Sequence, residues 1–155
     1  MHPNTALIQT FYEAFQKGDA ETMASCYHPD VVFNDPAFRN LRGKEAGDMW
    51  RMLISRAKGN LEISFSDITA DATSGSAKWE AVYPFGPKKR KVHNRIQASF
   101  RFQDGKIIEH RDQFPFWKWA SMALGPIGSL LGWSPFLKSK VRAQSAKLLS
   151  QFRNK

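Results

Sequence analysis

Apolar residues recur at helical spacing in three stretches of the first 59 residues. The first stretch has the i, i+3, i+4, i+7 pattern of an amphipathic helix, in Ile8, Phe11, Tyr12 and Phe15. The other two predict a short helix over 20–26, which ends before a turn at His28-Pro29-Asp30, and a longer helix over 44–57. A short β-branched run predicts a strand over 31–35 between them.

Beyond Gly59 the apolar period changes to two, which is typical of strands with one buried face. Such alternation predicts strands over 61–66, 77–83 and 92–102, with a bulge at Asp67-Ile68, where the phase slips. Asp104-Gly105 predicts a hairpin turn that leads into a return strand over 106–114. Helices followed by an antiparallel meander indicate the α+β fold class, with helices on one face of a curved sheet.

The last 40 residues have a different character. Residues 116–133 are apolar and interrupted by glycines, whereas Ser134-Pro135 has the pattern of a helix start and opens a helix to about Phe152. We expect residues 1–115 to form the α+β domain and residues 116–155 to form a C-terminal extension, first apolar and then basic and helical, packed on it.

The length of 155 residues fits one domain with a core large enough to enclose a small molecule. The single Cys26 permits no internal disulfide, so a reducing, cytoplasmic environment is the expectation. No apolar run reaches the roughly 18 residues that a membrane span needs, and no His, Asp or Glu cluster has metal-ligand spacing.

The formal net charge of +9 is unevenly distributed. Residues 88–91 contribute four basic side chains, and the chain beyond Asp112 contributes seven with no acidic residue. The remainder is nearly neutral. We interpret 88–91 as a solvated hairpin turn. We expect no nucleic-acid partner, because the sequence contains neither a known nucleic-acid-binding module nor a pattern of exposed aromatic residues beside these cations.

Polar side chains fall on strand positions that should face the core. His110 and Asp112 share parity with Ile108 and Phe114, and Asp35 follows the apolar positions of its own strand. Together with Asn94, they are expected to converge on a cavity with aromatic walls. The predicted ligand-binding residues are Tyr12, Phe15, Trp50, Trp79, Asn94 and Phe100. Apolar walls with a few polar groups are typical of small-molecule sites.

Four stretches in order, 11–19, 27–36, 41–45 and 104–112, resemble the nuclear-transport-factor-2-like superfamily, in its SnoaL-like polyketide cyclase and ketosteroid isomerase branches. The resemblance implies a cone-shaped, strongly curved, mostly antiparallel sheet wrapped around the N-terminal helices. It also implies a deep ligand pocket and a homodimer.

The isomerase resemblance gives Asp35 a role as general base, because Asn34-Asp35-Pro36 is similar to the Glu-Asp-Pro of that branch. The matching oxyanion-hole donors are replaced here by Phe11 and Ala98, so Tyr12 or Asn94 would have to supply them. A turn-capping role for Asp35 is an equal alternative.

The cyclase resemblance instead favours Asp112, because Glu109-His110-Arg111-Asp112 is similar to the end of a SnoaL-like cyclase, in which the matching aspartate is the acid/base. His110 would orient Asp112 or share its proton. The limonene-epoxide-hydrolase branch is disfavoured, because the strand over 92–102 offers Asn94 where that branch has an Asp/Arg pair.

We therefore expect an isomerase-like or cyclase-like enzyme, without cofactor or metal, acting on an apolar carbonyl compound through Asp112, His110 and Asp35. The alternative is a noncatalytic ligand-binding or dimerisation module closed by residues 116–133. A further alternative for the basic extension 116–155 is attachment to a membrane surface, although packing on its own domain is favoured.

Overall fold

The computed structural model describes residues 2–155, which form six helices and six strands. In chain order these are α1 (Pro3–Gln16), α2 (Ala20–Ser25), β1 (Tyr27–Asn34), β2 (Leu41–Arg42), α3 (Lys44–Ala57), β3 (Glu62–Ala70), β4 (Ser74–Phe85), β5 (Arg90–Gln103), β6 (Lys106–Gln113), α4 (Phe116–Leu124), α5 (Pro126–Leu131) and α6 (Pro135–Arg153). The predicted α+β class, with helices first, a meander next and a helical C-terminal segment, is confirmed.

The six strands form one sheet in the order β2-β1-β6-β5-β4-β3. Every neighbouring pair is antiparallel except β1 and β6, which run parallel. The inner face of this sheet packs against α1 and α3, whose apolar sides supply Phe11, Tyr12, Phe15 and Trp50 to the core. The helices therefore fill the concave side of a mostly antiparallel sheet.

Strand β5 has the burial that its sequence predicts. From Val92 to Phe102 every second side chain is buried and every intervening one is exposed. The predicted bulge is also present, because the β3–β4 register shifts between Ser66 and Thr69 and Asp67 has a φ of +54°. The periodicity of two thus predicted the faces of the central strands correctly.

Two local predictions are wrong, and one short strand was not predicted. Residues 28–30 are not a turn but part of β1, where a register shift between Tyr27 and Val32 accommodates Pro29. The short strand β2 was not predicted, since two residues carry no periodicity. On β6 the buried residue is Ile107 rather than the half-exposed Ile108, because the β5–β6 register shifts at Phe102.

The C-terminal helices pack on the end of the sheet and form a second apolar cluster. Its buried members are Val92, Phe116, Trp119, Ala120, Ala123 and Leu137. Tyr83 and Phe114 contact both this cluster and the main core, and the Trp119 indole N–H donates to the Tyr83 hydroxyl at 2.9 Å.

Helix α6 runs from the second cluster to the main core. Leu137 near its start belongs to the former, and Leu149 near its end belongs to the latter. Between them, Arg142 Nε donates to the Pro36 carbonyl at 3.0 Å. At the C-terminal end, Arg153 Nε pairs with Asp48 of α3 at 2.9 Å. Helix α6 is therefore anchored along its whole length.

Candidate functional site

His110 and Asp112 form a buried pair on the inner face of β6. Their exposed fractions are 0% and 2%, and His110 Nε2 lies 2.9 Å from Asp112 Oδ1. Both face inward because alternate residues of a strand share a face. Asp112 lies opposite Ala98 of β5, the smallest inward side chain of that strand, and His110 lies opposite Phe100.

A chain of hydrogen bonds extends from this pair in both directions. His110 Nδ1 is 2.8 Å from the Tyr27 hydroxyl, which accepts the Trp50 indole N–H at 2.8 Å. At the other end, Asp112 Oδ1 also accepts the Trp79 indole N–H at 3.3 Å. Two indoles, a phenol, an imidazole and a carboxylate are thus joined in the core.

One arrangement of protons satisfies every donor in this chain. With Asp112 ionised and His110 neutral, Nε2–H donates to Asp112 and Nδ1 accepts the Tyr27 O–H, while the Tyr27 oxygen accepts from Trp50. A proton on Nδ1 would instead leave the Tyr27 O–H without an acceptor. The geometry therefore favours neutral His110, held as a donor to an Asp112 carboxylate.

Tyr12 of α1 adds a phenol that has no partner. Among residues 2–155 its hydroxyl oxygen is the one buried side-chain nitrogen or oxygen atom without a hydrogen bond, and the residue is 0% exposed. Burial raises the pKa of Tyr12 well above its usual value, and the nearby charge of Asp112 raises it further. Tyr12 is therefore a protonated, unused donor whose ring packs against Trp79, the residue that donates to Asp112.

Tyr27 is protonated for a similar reason. Burial raises its pKa well above the usual value, against a lowering by the hydrogen bond from Trp50. It was missed by the sequence reasoning because residues 28–30 were assigned to a turn. Recognising β1 as starting at Tyr27 would have placed this side chain beside β6, where it pairs with Ile107.

The aromatic residues predicted to line a cavity pack against one another. The ring centroid of Phe15 lies 5.0 Å from that of Trp50 and 5.4 Å from that of Trp79. The ring centroids of Phe100 and His110 are 4.5 Å apart. Depressions of about 380 and 280 Å³ lie elsewhere, at the β3–β4 turn and on the outer face of β4–β6. For residues 2–155 the expected deep pocket is thus closed by its own walls.

Asp35 lies just after β1, apart from the hydrogen-bonded chain. Its Oδ1 accepts the backbone N–H groups of Ala37 at 2.7 Å and Phe38 at 2.6 Å, so the side chain caps a turn. Burial raises the pKa of Asp35 to about 7, and the charge of Asp112 contributes, whereas the two N–H groups and Arg142 act in the opposite direction.

The structure therefore groups some predicted site residues and separates others. Asp112, His110, Trp50, Trp79 and Phe100 contact one another, with Tyr12 and Phe15 among the same rings. Asn94 is buried on the inner face of β5, opposite Ala81. The hydrogen bonds of the Asp35 carboxyl go to the turn at Ala37 and Phe38 rather than to this group, although the charge of Asp112 raises the pKa of Asp35.

Residues 8–110 match the sequence model of the SnoaL-like domain. The chain belongs to the SnoaL-like family. The match ends at His110, so Asp112 lies two residues beyond it. The nuclear-transport-factor-2-like resemblance is confirmed.

Solved structures share the fold of this SnoaL-like protein. A proposed polyketide cyclase from Xanthomonas campestris pv. campestris is 22% identical, with a TM-score of 0.63 over 78% of this chain and 96% of its own. An LEH-like epoxide hydrolase from M. tuberculosis is also 22% identical, with a TM-score of 0.62 over 83% and 95%. A proposed SnoaL-like polyketide cyclase from Jannaschia sp. CCS1 is 13% identical, with a TM-score of 0.67 over 80% and 93%.

Among curated proteins, none matches the chain. Membership of the SnoaL-like family and the shared fold support a small-molecule-binding or cyclase-like function in general terms.

Proposed function

We propose that this SnoaL-like protein is a cofactor-independent enzyme that transfers a proton at a carbon next to the carbonyl group of an apolar compound. The observation that carries the proposal is the buried His110–Asp112 pair, 2.9 Å apart, together with the unpartnered hydroxyl of Tyr12, whose ring packs against the Trp79 that donates to Asp112. A desolvated carboxylate and a free donor are the two groups that such a reaction needs.

Each group has a distinct role in the proposed step. Asp112 takes the proton from the carbon, and the electrons of the C–H bond move toward the carbonyl oxygen. The Tyr12 O–H donates to that oxygen as negative charge develops on it. His110 is a positioning residue, because Nε2–H holds the Asp112 carboxylate while Tyr27 fixes the orientation of the ring.

The closed interior requires side chains to move when a ligand binds. Tyr12 stacks on the half-buried Phe65 of the edge strand β3, with ring centroids 5.6 Å apart. Trp79, which pairs with Phe65 across β3 and β4, also packs against Tyr12, with ring centroids 5.9 Å apart. A flat apolar ketone that separates these rings would replace ring–ring contacts with equivalent ones and would reach both Tyr12 and Asp112.

Hydrogen–deuterium exchange tests the reaction. The methyl protons of 2-acetylnaphthalene, a flat apolar methyl ketone, are followed by NMR in D₂O with and without protein. We expect catalysed exchange that falls by about 100-fold or more in Asp112→Asn, since general acid–base groups contribute 10²–10⁴-fold. Glu109→Gln, on the exposed face of the same strand, is the matched control and keeps the wild-type rate. Equal exchange in Asp112→Asn and wild type would remove Asp112 from the chemistry.

A noncatalytic binding module is the second candidate. The observation in its favour is that α4 closes the end of the sheet, with Trp119 hydrogen-bonded to Tyr83. Saturable binding of the same ketone, measured by tryptophan fluorescence, with no exchange above the rate in buffer would favour this function.

A further inference from the structure

The C-terminal extension exposes large apolar side chains. All six large apolar side chains that residues 2–155 leave exposed lie between 117 and 136: Trp117, Ile127, Leu130, Leu131, Trp133 and Phe136. We call these six residues the apolar patch. Leu130 is 71% exposed, and Trp133 and Phe136 are each 72% exposed. Concentration of every such side chain in one segment indicates a contact surface.

The apolar patch is presented by a rigidly held element. Helix α5 lies directly on the backbone of α4, because a Cβ on Gly128 would overlap the Ala120 carbonyl. The Trp117 indole N–H donates to the Ser129 carbonyl at 3.0 Å and fastens the two helices together. The exposed side chains are therefore held outward by a packed helix pair, not left over from a loose tail.

Basic residues accompany the apolar patch in the fold and along the chain. The Arg90 guanidinium reaches α4, where Nε donates to the Met122 carbonyl at 3.0 Å, and it contacts the α4–α5 junction at Gly125. The fold thus brings the basic turn over 88–91 beside the extension, although these segments are far apart in sequence. Lys118, Lys138 and Lys140 are exposed or half-exposed and lie within four residues of a patch residue in the chain. Together with residues 88–91 we call them the basic border. No acidic residue follows Asp112.

We propose that the apolar patch and its basic border bind the surface of an anionic lipid bilayer. Tryptophan, phenylalanine and leucine would enter the interfacial region of the bilayer, and the lysines would meet the anionic headgroups. Both components would act together, since apolar insertion and charge attraction add in interfacial binding. Among residues 2–155 no helix is long and apolar enough to cross a bilayer.

A second copy of the chain fits this surface less well. A two-fold interface places the same patch on both partners, so the basic borders would face each other. Lysine is also depleted in protein–protein interfaces. An anionic bilayer instead complements the border at every position, which is why the charge pattern favours lipid.

Vesicle sedimentation tests the proposal with the full chain. The probes are vesicles of phosphatidylserine and phosphatidylcholine at one to three, and vesicles of phosphatidylcholine alone. We expect binding to the anionic vesicles that weakens at high salt. Leu130→Ser with Trp133→Ser should abolish sedimentation, and Lys88→Gln with Lys91→Gln should weaken binding by about fivefold for each charge removed. Lys17→Glu, an exposed cation at the end of α1, is the control and should bind nearly as wild type.

Three outcomes would overturn the proposal. The first is that wild type does not sediment with anionic vesicles. The second is that the serine variant and the lysine variant both sediment as wild type does. The third is a dimer by light scattering that Leu130→Ser with Trp133→Ser converts to monomer, with no vesicle binding by either protein. The last outcome would assign the patch to a second copy. Lys88→Gln with Lys91→Gln changes only exposed side chains, so this variant still tests the proposal if Leu130→Ser with Trp133→Ser fails to fold. The exchange of 2-acetylnaphthalene is measured without lipid, so the two proposals can fail separately.

Discussion

Tyr12 and Tyr27 are two buried phenols with opposite hydrogen-bonding states. Tyr27 contacts both Trp50 and His110 through its hydroxyl, whereas the Tyr12 hydroxyl has no partner among residues 2–155. A buried polar group without a hydrogen bond costs about 1–3 kcal/mol, and removing one member of a satisfied pair costs a similar amount. The same chemical substitution should therefore have opposite effects at the two positions.

Replacing each tyrosine by phenylalanine tests this difference. We expect Tyr12→Phe to raise the free energy of unfolding, by about 1 kcal/mol, and Tyr27→Phe to lower it by about 1–3 kcal/mol. Urea unfolding followed by circular dichroism gives both values. A loss of stability in Tyr12→Phe as large as that in Tyr27→Phe would mean that the Tyr12 hydroxyl is satisfied in solution. In the exchange assay Tyr12→Phe should also be slower than wild type.

For individual residues, the sequence predicted which side chains are buried better than it predicted their hydrogen-bond partners. Alternation placed His110 and Asp112 on the inner face, and α1 periodicity placed Tyr12 and Phe15 in the core. The contacts of Trp50 with Tyr27 and of Trp79 with Asp112 could not be predicted, because they depend on where indole N–H groups point after helix and sheet have packed. Closure of the expected pocket could not be predicted for the same reason, because it depends on how the aromatic side chains pack once helix and sheet have come together.

Glycine spacing determines how α5 sits on α4. Gly128 faces the Ala120 carbonyl and Gly132 lies close to Trp117, so the backbones of the two helices can touch. The glycines are visible in the sequence but the boundary between α4 and α5 is not, because 116–133 is largely apolar and has no clear period. The distinction between buried and exposed apolar residues there depends on tertiary contact alone.

Gly128→Ala should separate these helices. Alanine usually stabilises a helix relative to glycine by roughly 0.5–1 kcal/mol, but here its Cβ would overlap the Ala120 carbonyl. We expect a loss of about 1–3 kcal/mol in the free energy of unfolding, as for overpacked sites, and faster tryptic cleavage at Lys118 and Lys138. Ser129→Ala, at the neighbouring exposed position, is the control and should leave both measurements near wild type. Stabilisation by Gly128→Ala would contradict the close contact.

For the molecule as a whole, Asp35 makes stability depend on pH. Its pKa in the folded state is raised to about 7 by burial, so the folded protein holds a proton that the unfolded chain has already lost. The contribution of Asp35 to the free energy of unfolding should therefore be greatest below about pH 4. It should fall as the pH rises toward 7, by up to about 4 kcal/mol.

Asp35→Asn removes this titration and keeps an oxygen for the N–H groups of Ala37 and Phe38. We expect the melting temperature of wild type to fall relative to that of Asp35→Asn between pH 4 and pH 7.5. Thermal unfolding by calorimetry across this range measures the difference between the two proteins, in which other titrating groups cancel. Asp30→Asn, at an exposed position, should follow the wild-type curve. Parallel curves for wild type and Asp35→Asn would show that Asp35 is ionised in the folded protein.

The charge distribution of the whole molecule follows from the fold more than from composition. A net charge of +9 alone suggests a generally basic protein. In the sequence the excess positive charge lies in the turn over 88–91 and in the extension. In the structure these two segments are in contact, because Arg90 donates to the Met122 carbonyl of α4. That juxtaposition could not be predicted, because it requires knowing on which end of the sheet the extension packs.

The parallel pairing of β1 with β6 also affects how the chain is made. Tyr27 pairs with Ile107, so β1 leaves the ribosome long before its neighbour exists. At synthesis rates of about 5–20 residues per second, this interval lasts roughly 4–16 s. Leu149, which completes the main core, is synthesised later still. The N-terminal half therefore cannot assemble its final sheet by itself, and the growing chain must keep an apolar strand from aggregating until synthesis is nearly finished.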